Sequence, residues 1–118
     1  MKLTSEMIEK VKEALRTNIE NALDGKKSYD RIGVRIQSVP FELGEISHNS
    51  HVWFDGDDTG DELDGISTIA AEQIERINAG YGEYYGEYAA IIGGDLAEYG
   101  EDDGEIVLRN AEVIEVLA

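Results

Sequence analysis

Six carboxylates fall within ten residues at Asp55, Asp57, Asp58, Asp61, Glu62 and Asp64, and Gly56, Gly60 and Gly65 break up the run. Hard oxygen ligands at this density are suited to a divalent cation, calcium above all. Asp55, Asp57, Thr59 and Gly60 occupy positions 1, 3, 5 and 6 of an EF-hand loop, but position 12, where a bidentate glutamate must close the coordination sphere, is Ile66. The full motif therefore fails. What survives is a looser calcium site, with Asp55, Asp57 and Asp61 its first candidates, as an alternative to a plainly solvated acidic loop.

Other chemistry is scarcer. His48 and His51 have an H-x-x-H spacing, yet residues three apart on a strand point to opposite faces, so the pair is poorly placed to chelate one zinc ion. The same two histidines are the only imidazoles available for proton transfer, and no serine beside them sits in a nucleophile-elbow pattern. There is no cysteine, which removes a disulfide framework, a thiolate metal site and a cysteine nucleophile. Gly80-Tyr81-Gly82-Glu83-Tyr84-Tyr85-Gly86 imitates a dinucleotide fingerprint, but its third glycine falls one place late and its glutamate would face the pyrophosphate. Paired carboxylates can hydrolyse glycosides only when held about 5–9.5 Å apart in a cleft, and among twenty-six acids no pair stands out. No catalytic residue is assigned, and a non-enzymatic protein is expected.

Aromatic residues give a stronger pattern. Tyr81-Gly82-Glu83-Tyr84 is followed at once by Tyr85-Gly86-Glu87-Tyr88, and Tyr99-Gly100-Glu101 repeats the first three residues. Two and a half copies are too few for a stacked repeat architecture. Tyrosine is rigid and amphipathic and is enriched at interfaces, so Tyr81, Tyr84, Tyr85 and Tyr88 with Glu83 and Glu87 form a candidate recognition patch. The competing reading puts alternate tyrosines in the core. Glu101, Asp102 and Asp103 make a second acidic turn nearby in sequence.

These groups must be positioned by ordinary elements. Ile8, Val11, Leu15, Ile19 and Ala22 recur at helical spacing, and Gly25 stands where a left-handed cap belongs, which predicts a helix over residues 5–23. Ile32, Val34 and Ile36 alternate with Arg31, Gly33, Arg35 and Gln37, the period of a strand with one buried face, which Pro40 ends or places at a sheet edge. His51–Phe54 reads as a second strand, giving a hairpin over residues 31–54 with a turn at Gly44-Glu45. A short helix is expected over 68–78, stopped by Gly80. Residues 87–92 read as a strand closed by Gly93-Gly94-Asp95, with 96–99 pairing back against it. The end of the chain reads as one long strand broken near Arg109-Asn110, or as two short ones. The expectation is one α+β domain over residues 1–118, with an N-terminal amphipathic helix, and a second short one, on a mostly antiparallel sheet of about four to six strands.

Charge sets the choice of partner. Residues 1–40 hold eight Lys/Arg and six acids, whereas residues 41–118 hold twenty acids and two cations, Arg76 and Arg109, so the formal net charge is −16. Such a field repels phosphate, which argues against direct nucleic-acid binding, and attracts cationic surfaces. No apolar run approaches the roughly 18 residues of a membrane span, and a cytoplasmic location is the default. Duplex DNA carries one charge per about 1.7 Å of axis, an array that carboxylates on a folded surface can imitate. In charge and size alone the chain resembles small phage-encoded antagonists of host nucleases, restriction systems or CRISPR effectors. The expected function is therefore a small acidic inhibitor of DNA-mimic type. It would present Asp55, Asp57, Asp58, Asp61, Glu62, Asp64, Glu83, Glu87, Glu101, Asp102, Asp103 and the clustered tyrosines to a basic, nucleic-acid-binding protein. The near-neutral N-terminal helix would be scaffold or the surface of a homodimer. The alternatives are a calcium-binding module without other cofactor, and a small enzyme or ligand-binding domain around Trp53 and the tyrosine segment.

Overall fold

In a computed structural model of the chain, the residues described are 2–42, 44, 46, 51–54, 74–80, 84–99 and 106–118, with the backbone alone at 51–54, 96–99 and 106–108. The first element is α1, Ser5–Leu23. Thr4 caps its start, the side-chain oxygen accepting from the Met7 N–H at 3.2 Å. At its end the Gly25 N–H donates to Ala22 O at 3.3 Å and the Lys26 N–H to Asn21 O at 2.8 Å, with Gly25 at φ 70°. That pair of bonds satisfies the orphan carbonyls of the last turn and needs a residue tolerant of the left-handed region.

Four strands follow: β1 Arg31–Gln37, β2 His51–Phe54, β3 Tyr88–Tyr99 and β4 Ile106–Val116. They form an open sheet in the order β2-β1-β3-β4, every neighbouring pair antiparallel. The α+β class expected from the sequence is thus present as a helix with an antiparallel sheet. Among the described residues a further helical segment, 74–79, stops at Gly80, whose φ is 70°. The part of the expected 68–78 helix before residue 74 lies outside the described residues.

Ile32, Val34 and Ile36 of β1 and Ala89 and Ile91 of β3 face α1, where they pack with Val11 and Leu15. Ile77 from the helical segment enters the same cluster, and the Leu3 N–H donates to Asn78 Oδ1 at 2.7 Å, tying that segment to the start of the chain. Each apolar side chain of this cluster, Leu3 included, is at most 5 % exposed. Burying a Leu, Ile or Val fully contributes about 1.5–3 kcal/mol, so this cluster is the main stabilising feature of the described fold.

Three sequence expectations need correction. First, β1 ends before Pro40, one of the two roles expected of that proline, but it is not buried on one face only. It lies between β2 and β3, and Arg31, Gly33, Ala90 and Ile92 on the side away from α1 are buried as well. Second, Gly93-Gly94 does not close a strand. β3 runs straight through it, with Gly93 paired to Ile32 and Gly94 to Arg31. The glycine serves a packing need: a Cβ at Gly93 would come within 2.5 Å of Cγ of Tyr29, whose ring lies over the strand at that point. Residues 96–99 accordingly extend β3 along β4 instead of folding back. Third, β1 and β2 pair antiparallel as the expected hairpin, but their connection also bonds to β4: the Val113 N–H donates to Gly44 O at 3.2 Å and the Ile46 N–H to Ala111 O at 3.0 Å.

The last strand settles an open choice. β4 is continuous, and the irregularity near Arg109-Asn110 is a bulge: Gly93 pairs with Glu112 and Asp95 with Arg109, so Asn110 and Ala111 face Gly94 alone. Asn110 takes φ 56°, a left-handed conformation that asparagine tolerates better than most residues, and its Nδ2 donates to Asp95 Oδ2 at 3.4 Å.

Candidate partner-binding surface

The structure places only part of the predicted surface. Asp55, Asp57, Asp58, Asp61, Glu62, Asp64, Tyr81, Glu83, Glu101, Asp102 and Asp103 lie outside the described residues, and the calcium candidates Asp55, Asp57 and Asp61 with them. Among the described residues no cluster of three or more His, Asp or Glu side chains is arranged to hold a metal ion.

The tyrosine segment is the described part, and its members differ in role. Tyr84 is half-buried and packs against the core cluster. Tyr85 is 66 % exposed, its ring resting within 3.6 Å of where a Gly80 Cβ would stand. Tyr88 is half-buried at the start of β3, opposite Gln37, and Glu87 between them is exposed. The two readings of the repeat thus divide the tyrosines: Tyr84 belongs to the core, and Tyr85 with Glu87 is presented outward.

Close backbone approach explains the glycine of the second repeat. A Cβ at Gly86 would lie 2.2 Å from the carbonyl oxygen of Gln37, and the neighbouring Glu87 N–H donates to that oxygen at 3.1 Å. With φ at 154°, Gly86 lets the segment lie against the end of β1 and turn Tyr85 outward.

Carboxylates elsewhere are spread over the described surface. On α1, Glu9 and Glu13 are partnered by Lys12 at 3.8 Å and Arg16 at 3.8 Å, which keeps the outer face of the helix nearly neutral. Glu112 and Glu115 of β4 take Lys27 at 2.6 Å and Lys10 at 3.6 Å.

Sequence reasoning missed the polar cluster around Tyr29. Asn18, buried on α1, accepts from the Tyr29 N–H at 2.7 Å and donates from Nδ2 to the Tyr29 carbonyl at 2.8 Å, clamping the residue to the helix. The Tyr29 hydroxyl donates to Glu112, which Lys27 also engages, and the Lys27 ammonium lies 5.5 Å from the centre of the tyrosine ring. The bonds from Lys27 and Tyr29 hold the Glu112 carboxyl below its ordinary range. Partial burial, then the bond to Glu112, pushes the Tyr29 phenol up, and the bond to Glu112 raises Lys27. On the other face of the sheet, burial lowers Arg35, whose Nε donates to Gln37 Oε1 at 2.8 Å. A buried asparagine on the apolar side of a helix was the one signal for the Tyr29 cluster. Its partners stand 83 and 85 residues apart, and no local spacing links them.

No helix among the described residues is long and apolar enough to cross a membrane. Comparison of the chain with protein-family models, with curated proteins and with solved structures yields no match.

Proposed function

We propose that this chain is a small acidic, non-enzymatic binding protein that presents carboxylates to a basic protein surface, one that otherwise holds nucleic acid. The observation that carries the reading is the charge balance. Ten Lys/Arg cannot neutralise twenty-six acids, so whatever the pairing, an excess of sixteen carboxylates faces solvent, ions or a partner. On a chain of 118 residues that density generates a field of several kT, which steers cationic surfaces and excludes polyanions.

The acids of the 55–64 and 101–105 segments, with Glu83, Glu87 and the outward Tyr85, are the proposed contact set. Tyrosine would supply desolvated contact area and the carboxylates charge-assisted bonds to Lys or Arg. A folded array of this kind competes with duplex DNA for a Lys/Arg groove, the mode of action of a DNA-mimic inhibitor such as a phage protein directed at a host nuclease, restriction or CRISPR system. A cytoplasmic setting suits such a partner.

The reading is tested by measuring binding of the chain to purified nucleic-acid-binding proteins over a salt series. Support is an affinity that falls steeply with ionic strength and is lost to competing duplex DNA. If no such protein is retained at low ionic strength, the reading is wrong.

A further inference from the structure

α1 and β4 do not close on each other. Along one flank of the helix, beside the buried face of Val11, Leu15 and Asn18, stand Lys10, Ala14, Thr17 and Asn21, none of them large and apolar. Opposite them β4 offers Ile114 and Val116, 39 % and 45 % exposed. Between the two lies a groove of about 510 Å3, lined also by Tyr29 and Asn18 and backed by the buried Ile32. We propose that this groove binds one small, uncharged, largely apolar molecule.

Size, charge and rigidity each favour that occupant. The volume falls within the roughly 300–1,000 Å3 of small-ligand sites. A protein partner needs about 800 Å2 on each side, and a docked helix needs a long row of apolar anchors. Among the described residues the apolar part of this groove is Ala14, Ile114 and Val116 beside the Tyr29 ring, with Ile32 buried behind them.

The charged side chains of the rim are already paired. Lys10 Nζ lies 3.6 Å from Glu115, and Glu13 3.8 Å from Arg16, so neither sign of ligand finds a dedicated counter-ion. A net charge of −16 further disfavours anions. Thr17 and Asn21 remain as neutral hydrogen-bonding groups at the rim. The two hydrogen bonds between the Asn18 side chain and the Tyr29 backbone, one donated and one accepted by Asn18, hold Tyr29 in place before any ligand arrives. The inference is independent of the acidic-surface reading, because it is argued from α1, β4, Ile32 and Tyr29 and uses no carboxylate proposed for the partner.

The test uses the full chain and N-phenyl-1-naphthylamine, a neutral apolar fluorophore, held at low concentration while protein is added. The expected result is a saturable one-site rise in emission with Kd of about 100 µM or tighter. The amides of Ile32, Ile114 and Val116 should shift in a 15N NMR spectrum while those of Val39 and Tyr85 stay in place. Ala14→Phe, which fills the groove from the helix side, should weaken binding at least tenfold with the melting temperature kept or raised. Tyr85→Ser should leave binding unchanged. The anionic analogue 8-anilinonaphthalene-1-sulfonate should bind at least tenfold more weakly. Unsaturable binding, NMR shifts located elsewhere, loss of binding in Tyr85→Ser, or equal affinity for the anionic probe would each overturn the proposal. So would a dimer, seen by sedimentation, that Ala14→Phe dissociates, since the groove would then be a contact between copies of the chain.

Discussion

Residues 1–40 and the residues after them interlock in one sheet but handle charge in opposite ways. The first region holds eight Lys/Arg and six acids, and its cations are engaged close at hand: Lys12 with Glu9, Arg16 with Glu13, Lys26 with Asp24. Two more, Lys10 and Lys27, reach across to Glu115 and Glu112 of β4. The second region has twenty acids and two cations of its own, so such cross-links can neutralise only a minor share of its charge. The difference separates two duties. A balanced segment supplies the helix and central strand on which the core is built, while the later segment adds strands to that core and carries an excess of charge that folding alone does not call for.

The contrast breaks first if the early segment is not the structural half. Leu15, fully buried between α1 and the sheet, should lose about 3–4 kcal/mol on Leu15→Ala, read as a fall in urea midpoint with unchanged slope. A change below 1 kcal/mol would mean that the helix is not seated on the sheet.

Next in size is the junction between the two regions. Gly93→Ala should destabilise by about 2–3 kcal/mol, because the new methyl meets the Tyr29 ring. That cost should shrink in a Tyr29→Ala background, as a double-mutant cycle would show. A penalty that stays constant would place the need for glycine elsewhere.

The later segment's charge should then show in the response to salt. Raising sodium chloride from 10 to 150 mM is expected to increase the melting temperature by about 4 °C, the equivalent of roughly 1 kcal/mol, as self-repulsion is screened. Calcium at matched ionic strength sharpens the point. An equal shift leaves screening as the whole effect, whereas a larger one favours a divalent ion bound by the acids of residues 55–64.

The smallest effect concerns the cross-link itself. Tyr29→Phe should cost about 0.5–1 kcal/mol at neutral pH, with a definite pH dependence. Glu112 titrates lower in the fold than when unfolded, so its contribution is present above the unfolded carboxylate range and disappears as pH falls through the folded value. Tyr29 titrates higher in the fold, so its contribution is complete below the ordinary phenol range and disappears as pH rises through the folded value. The gap between wild type and Tyr29→Phe should therefore be flat from about pH 6 to 9 and close at both extremes. A gap that is unchanged in strong acid would remove Glu112 from the account.

What could be read in the sequence follows from how local each signal is. The periodicity of Ile8, Val11, Leu15 and Ile19 and the Gly25 cap mark α1 to the residue, because a helix is specified by neighbours three and four positions apart. β1 and β2 were legible for the same reason, from alternation and β-branched content. Gly93-Gly94 misled because glycine marks both turns and places where another group approaches a strand, and the ring responsible, Tyr29, belongs to a distant part of the chain. The burial of Arg31 and Gly33 on the second face was hidden likewise, since alternation reports polarity and not what the tertiary structure lays over it. In the candidate surface, the tyrosine repeat announced itself, but which tyrosine turns inward depends on how Gly86 meets Gln37, a contact between β1 and the entry to β3.

The most direct measurement of the central claim is a titration of the chain against a purified nucleic-acid-binding protein at a series of salt concentrations, beside a variant with Asp55, Asp57, Asp58, Asp61, Glu62 and Asp64 changed to their amides. The account predicts tight binding at low salt that weakens steeply with ionic strength, is displaced by duplex DNA, and is at least tenfold weaker in the amide variant. Binding that ignores salt and DNA, or an amide variant that binds as well as the native chain, would contradict it.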